Sequence, residues 1–319
     1  MVSGTGGPQA FDGAGGPGWA PVPYGDWQAT CDTLHAHTQL LGKLAVRLAP
    51  PEPQLQHGAL RLTARGWETA PLPAPDGSGA LVVALDLHAH EVVVEHSDGR
   101  NLRVPLTPDR SVGEVTRQVL AGLGHLVGPV QINVTPQEVP WTVRLDMDGD
   151  HRTYDPAQVA TYFSAATRAA AVLTEIRAPY RGRSSPVNAW WGTFDLAVSL
   201  FSGRSADPPS DDFIMRNSGD AQQIEIGWWP GDARYPRAAF FGFASPAPEG
   251  FGERPLAPPA RWDARLGEYV LDWDDVITTS DPHASAVAFG RSVVAQACTL
   301  CDWDPALSAS AQGIPPPVH

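Results

Sequence analysis

Apolar residues recur at helical spacing through "GDWQATCDTLHAHTQLLGKLAVRLA", where Leu34, Leu41, Leu44 and Leu48 form a stripe. Pro50, Pro51 and Pro53 close this first helix, because proline cannot continue one. The pattern then shortens to strand-like runs in "GALRLTARGWETAPLP", "LVVALDLH" and "HEVVVEHSDGRNLRVPL". The last reads as a hairpin turning at Asp98-Gly99 between alternating segments. Ser111 and Glu114 spell a capping box for a second helix, and "PVQINV" predicts one more short strand.

The second half repeats the order. Asp155-Pro156 supplies an N-cap and a first-turn proline for the helix "AQVATYFSAATRAAAVLTEIRA". Strands are predicted around Val187–Phe201, Gln223–Trp229, Arg237–Ala244 and Glu268–Trp273. Asp281-Pro282 opens a closing helix. Helix, several meandering strands and helix in each half, without βαβ alternation, predict an α+β fold. Its antiparallel sheets would be flanked by long helices, with two similar halves (about 26–145 and 150–305) packed as one unit. The Gly/Pro-rich stretch 1–25 reads as a disordered leader and 306–319 as a disordered tail.

Composition narrows the classes. The 319 residues carry a formal net charge of −13, and phosphate binding needs clustered Lys and Arg, so nucleic acid is not an expected partner. No apolar run is long enough to span a membrane, and the N-terminus lacks the basic and apolar regions of a signal peptide. The default compartment is the cytoplasm. Three cysteines give no disulfide framework; Cys298 and Cys301 read as small residues one helical turn apart. Of 22 basic residues only Lys43 is a lysine. Either it survives a GC-rich bias by chance or it is kept for a pKa that shifts on burial.

Two places carry candidate chemistry. His35, Gln39 and Lys43 fall every fourth residue on the first helix, a polar line suited to proton transfer or to anchoring an anion, or else a solvated face. In "SPVNAWWGTFDLAVSLFSGR", alternation places Trp191, Thr193, Asp195 and Ser199 on one strand face. Asp195 is then the acid/base candidate and Trp191 a stacking wall; alternatively this is a half-exposed strand with Asp195 satisfied by backbone donors. Glu225 and Trp229 share a face in "IEIGWWPG", and Thr63 and Arg65 follow a strand, where the arginine could clamp an anion. For Arg65 and Arg204 a surface ion pair is the plain alternative. His88, His90 and His96 look like metal ligands, but they flank a hairpin turn and read as solvated, so no metal and no cofactor is expected.

The motifs "LHAHTQLLGK", "HGALRLTARGWETAPLP", "SPVNAWWGTFDLAVSLFSGR", "GWWPG" and "LGEYVLDWDDV" together resemble the bacterial domain-of-unknown-function family numbered 5996, from about Trp27 to Trp303. The resemblance implies one continuous domain and no particular reaction. It marks His35, Gln39, Lys43, His57, Thr63, Arg65, Trp191, Asp195 and Arg204 as kept positions. Asn188, Ala221 and Gln222 stand where typical members carry His, His and Glu, a trio that suggests a metal or proton relay in those relatives.

Together these readings predict a cofactor-independent enzyme of small-molecule metabolism. It would run acid–base cyclisation, isomerisation or elimination on an apolar or aromatic substrate bearing an anionic group. Asp195, His35 and Lys43 would be catalytic, with Gln39, His57, Thr63, Arg65, Asn188, Trp191, Arg204, Glu225 and Trp229 binding the substrate. A non-catalytic small-molecule binding protein and a metal-dependent hydrolase or oxygenase are the alternatives.

Overall fold

The computed structural model describes residues 18–308. Helix α1 (Tyr24–Leu48) is the hub: every residue from Thr33 to Ala45 is buried. Over that stretch the helix is covered all round and has no solvated face, while Gly25, Asp26, Gln28 and Ala29 in its first turns are exposed. It stops where Ala49, forced extended by the following proline, caps it.

Six antiparallel strands follow: β1 (Arg61–Thr63), β2 (Gly66–Glu68), β3 (Leu72–Pro73), β4 (Ala80–Asp86), β5 (Glu91–His96) and β6 (Asn101–Pro105). Their order is β1-β2-β4-β5-β6, with β3 also pairing with β4. The β5–β6 hairpin turns at Asp98-Gly99, where Gly99 takes φ 93°. Helix α2 (Val112–Val127) starts with the reciprocal Ser111–Glu114 capping box.

The second half opens with α3 (Pro156–Arg177), capped by the Asp155 carboxylate on the amides of Ala157 and Gln158. Its strands are β7 (Asn188–Trp190), β8 (Asp195–Ser205), β9 (Ala221–Trp229), β10 (Ala239–Ser245), β11 (Arg261–Asp263) and β12 (Glu268–Asp272). They form an antiparallel sheet in the order β11-β12-β10-β9-β8-β7, with helix α4 (Phe213–Ser218) between β8 and β9. Helices α5 (Trp273–Ile277), α6 (Pro282–Leu300) and α7 (Pro305–Ser308) complete the described chain. The fold is α+β.

One face of the second sheet carries Leu196, Val198, Ile224, Ile226 and Trp228, which pack with Ile176 of α3 and Val293 of α6. That apolar cluster also contains Leu34, Trp67, Val83 and Val92, so side chains of both halves share one core. The halves are joined at the backbone too: Leu60 and Ala189 exchange hydrogen bonds at 3.0 and 2.9 Å. No helix among the described residues is long and apolar enough to cross a membrane.

Three expectations change. Of the leader expected through residue 25, positions 1–17 lie outside the described residues, but the rest is packed. Trp19 stacks on Trp273 at 4.7 Å, and the Trp273 indole N–H donates to the Ala20 carbonyl at 2.8 Å. Of the tail, 306–308 belong to α7, and 309–319 lie outside the described residues. The strand expected at "PVQINV" is irregular chain: Arg47 donates to the Gln131 carbonyl and the Leu145 amide to the Val134 carbonyl, isolated bonds that replace a ladder.

Candidate functional site

The strand expected through Val187–Phe201 is instead a hairpin. β7 ends at Trp190, residues 191–194 turn, and β8 starts at Asp195, which pairs directly with Trp190. Phe194 permits the turn by adopting a left-handed φ of 61°, and its amide donates to the Trp190 carbonyl at 2.9 Å. Its ring is driven into the core, stacked against His35, Trp67 and Tyr162 at 5.0–5.2 Å. On the other side of the turn the Trp191 indole lies over α1 and donates to the Gly58 carbonyl at 3.0 Å. Gly42 leaves the space: a Cβ there would come within 1.9 Å of that ring.

The sheet face away from α3 and α6 is the floor of a cavity of about 450 Å³, a volume suited to a small molecule. Trp190, Asp195, Ser199, Glu225, Phe241 and Glu268 line the floor. Register sets them side by side, since Ser199 opposes Glu225, which opposes Phe243. Gly227 makes room: a Cβ there would meet the Phe241 ring at 2.2 Å. Trp229 packs edge-on to Phe241 at 5.2 Å and tilted against Tyr235 at 5.4 Å, so one wall is aromatic. The roof comes from Gln54 and Gln56, α4, the loop 232–235 and Glu138.

Five carboxyls line this space; Asp232 is paired with Arg234 at 2.8 Å, and the other four are not paired. Burial pushes Asp195 up to about 7, although the Thr193 hydroxyl donates to it. Burial, then the charge of Asp195, pushes Glu225 up to about 8, against a 2.9 Å hydrogen bond from Ser199. Burial and Asp195 raise Glu268 and Glu138 to about 7 each. None of the four forms an ion pair within the described residues. Acids held near neutrality in a cleft are the usual raw material of proton transfer.

Of the residues singled out in the sequence, Trp191, Asp195, Glu225 and Trp229 line the cavity. The polar line on α1 does not, so the lining gives no support to the catalytic roles expected for His35 and Lys43. His35 is buried and held near pKa 4 by desolvation, so its Nε2–H donates, at 3.0 Å each, to the carbonyls of Trp191 and Gly192. Gln39 exchanges bonds with the backbone of Gln137, and also donates to the Trp191 carbonyl at 3.1 Å. Lys43, lowered to about 8 by burial, donates to Gln137 Oε1 at 2.8 Å and lies 5.1 Å from the Trp191 ring centroid. Because α1 is covered all round over this stretch, these groups are occupied by protein partners. They position residues 137–138 and 191–192, the backbone from which Glu138 and the Asp195 hairpin project.

The remaining candidates lie outside the cavity lining. Arg65 pairs with Glu68 at 2.8 Å and Glu95 at 3.1 Å on the first sheet, so it clamps protein carboxylates. Thr63 bonds within the β1–β2 turn, His57 Nδ1 accepts from the Glu52 amide at 3.0 Å, and Arg204 donates to the Asp302 carbonyl at 3.1 Å. Asn188 comes nearest: its amide donates to Gln56, a roof residue, at 3.0 Å, and it accepts from Arg61. At the other positions named by the resemblance, Ala221 is buried at the start of β9 and Gln222 accepts from Ser202. His88, His90 and His96 point to three separate partners, and among the described residues no three His, Cys, Asp or Glu are placed to hold a metal ion.

Sequence reading missed Glu138, Trp190, Glu268, Tyr235, Phe241 and Phe243. Alternation in "AAFFGFAS" and "EYVLD" could have placed Phe241, Phe243 and Glu268 on one face. Glu138 had no signal: it sits in irregular chain at a left-handed φ of 59°. Its carboxylate lies where a Cβ on Gly192 would come within 2.0 Å.

A model of the family of unknown function DUF5996 matches residues 19–310, and the chain belongs to that family. No curated protein and no solved structure matches the chain.

Proposed function

We propose that this member of DUF5996 is a cytoplasmic enzyme of small-molecule metabolism, performing cofactor-independent acid–base chemistry (isomerisation, cyclisation or elimination) in the 450 Å³ cavity. The observation that carries the reading is the set of four cavity carboxyls without ion-pair partners, raised by burial to about 7 or 8. Groups so poised hold some members protonated and some ionised at neutral pH, which supplies a general acid and a general base together. Interacting acids titrate as a set. Asp195 is assigned the central role because its charge acts on the other three. Thr193 and Ser199 orient Asp195 and Glu225 through their hydroxyls. The anionic substrate group expected from the sequence loses its support, because Lys43 and Arg65 lie outside the lining. The net charge of −13 continues to speak against a nucleic-acid partner.

The test works without a known substrate. Purified protein is incubated with a metabolite extract in deuterium oxide and the mixture is compared by mass spectrometry with an Asp195→Asn control. Wild type should label, isomerise or dehydrate a discrete set of metabolites, and the variant, still folded, should do so at least ~10²-fold more slowly. Absence of any metabolite changed by wild type would overturn the enzymatic reading. Equal conversion by the folded variant would keep the enzyme and overturn the role assigned to Asp195.

A further inference from the structure

We propose that the ligand of this cavity is an organic cation: an amine or quaternary ammonium on a ring-sized body, its charge held near Glu225 and Glu268 and its body against Trp190, Trp229, Phe241 and Phe243. This rests on the same cavity being the functional site, and it names the class of molecule that fits.

The first support is a missing counter-charge. Elsewhere on the same sheet the chain pairs its acids well: Asp272 receives Arg237 and Arg261 at 3.2 Å each, and the Tyr235 hydroxyl as well. The cavity differs. Among the described residues two arginines line it, and each bonds its own aspartate, Arg234 with Asp232 at 2.8 Å and Arg265 with Asp263 at 3.4 Å; from there the Arg234 charge reaches Glu138 and Glu268 but touches neither. Glu138, Asp195, Glu225 and Glu268 are left facing one another, with no cation in contact. Burying carboxyls costs free energy unless they are neutralised by protons or paired with a positive group. A bound ammonium supplies that group.

The second support is independent and geometric. Phe241 and Phe243 lie 6.3 Å apart with rings nearly parallel, Trp229 meets Phe241 edge-on, and Trp190 packs with the same cluster. Ring faces attract cations, most strongly in a desolvated site. Phe243 is the cross-strand neighbour of Glu225, so an aromatic surface and a carboxylate share one spot on the floor. An anion placed there would meet four acids and the negative faces of several rings.

Binding and protons are then linked. Glu138, Asp195, Glu225 and Glu268 each have their pKa raised, chiefly by burial, and a cation favours the ionised form. The probe should therefore expel protons near neutrality and bind more tightly as pH rises. The charged groups facing it are the four acids together with Asp212 before α4, Asp232 and Arg234 in the β9–β10 loop, and Asp263 and Arg265 at the β11–β12 turn. All but the four acids are already paired or capping, so the four set the pH dependence.

The probes are tetramethylammonium and benzyltrimethylammonium, whose charge cannot titrate, the neutral isostere neopentylbenzene, and phenylacetate. Isothermal titration calorimetry in buffers of different ionisation enthalpy reads affinity and protons together. Benzyltrimethylammonium should bind one to one, about tenfold or more tighter than neopentylbenzene or phenylacetate, as ~1.4 kcal/mol of charge recognition requires. It should release protons, gain affinity between pH 6 and pH 8, and weaken in Glu225→Gln and Glu268→Gln. Wild-type pH dependence keeps the test valid if a variant folds poorly. Equal or tighter binding of phenylacetate or neopentylbenzene, a flat pH profile, or no binding of either ammonium would overturn the proposal. The deuterium experiment separates the two ideas. Conversion without ammonium binding removes the cation and keeps the enzyme, while ammonium binding without conversion keeps the cation and removes the enzyme.

Discussion

Replacing Glu225 by glutamine keeps its length and its hydrogen bond from the Ser199 hydroxyl while removing the ability to ionise. In the unfolded chain this carboxyl titrates near 4.5; folded, burial moves it up to about 8. Below 4.5 both states carry the proton, and the carboxyl and the amide are equivalent in charge. Between those values the folded state keeps a proton that the unfolded state releases, so wild-type stability falls as pH rises, by about 1.4 kcal/mol per pH unit for one group. Above 8 the loss is complete and constant. Glu225→Gln removes this one contribution, so its stability relative to wild type should climb through the window. The ceiling is on the order of 5 kcal/mol, and water entering the cavity mouth lowers it by a factor of two or so through its screening. Urea denaturation of both proteins at pH 5, 6, 7 and 8 checks this. The curves should nearly coincide at pH 5, with the variant more stable by roughly 2 kcal/mol at pH 8, about 4 °C in melting temperature for a chain of this size. Parallel pH profiles would refute the reasoning, because they would mean that Glu225 is solvated and ionises as it does in the unfolded chain.

Other expectations follow from single contacts. Lys43, buried with Gln137 and Trp191, should react with an amine-directed reagent far more slowly than the N-terminal amine despite its lowered pKa, and quickly once urea unfolds the chain; peptide mapping distinguishes the two amines. Gly42→Ala puts a methyl within 1.9 Å of the Trp191 ring and should lower stability by roughly 1–3 kcal/mol, the usual cost of overpacking, read by urea denaturation. Gly227→Ala pushes on Phe241 and on the Leu196 carbonyl; it should weaken benzyltrimethylammonium binding more than Gly42→Ala does, measured by calorimetry on whatever fraction remains folded.

What was legible in the sequence was local. The helices announced themselves through Pro50 after α1, the Ser111–Glu114 box, and the aspartate caps before α3 and α6, all of which act within a few residues. The Asp98-Gly99 turn was equally local. "PVQINV" alternates like a strand, but it lies between Gly128 at φ 87° and several prolines and makes only isolated bonds, with no ladder. The hairpin at 191–194 was hidden by Phe194, because few non-glycine residues take a positive φ. Alternation carried across it therefore chose Trp191 where the register puts Trp190 beside Asp195. The carboxyl set was least legible, since its members sit on β8, β9, β12 and an irregular segment, and only the register assembles them.

The polar line on α1 is an observation the structure bears out, in a place that gives it other partners. His35, Gln39 and Lys43 do share a face, and that face does look toward the site. Yet the hydrogen bonds these side chains make go to backbone carbonyls, a backbone amide and the Gln137 side chain. Buried polar groups must be hydrogen-bonded, and here the bonding fixes two irregular segments that have no sheet ladder of their own. One carries Glu138 in a left-handed backbone, the other the glycine against which that carboxylate rests. Without the line, neither the 137–138 segment nor the 191–192 turn would have a rigid reason to bring Glu138 near Asp195. In the proposed enzyme, proton chemistry therefore belongs to the sheet face, and precision of placement to the helix. It follows that His35→Phe, which keeps the stack on Phe194 but takes a donor from the Trp191 and Gly192 carbonyls, leaving the Trp191 carbonyl only its bond from Gln39, should loosen Glu138 more than Glu225. In calorimetry it should reduce the protons released on benzyltrimethylammonium binding while leaving one-to-one stoichiometry. Unchanged proton release in a folded His35→Phe protein would return the line to a purely structural role.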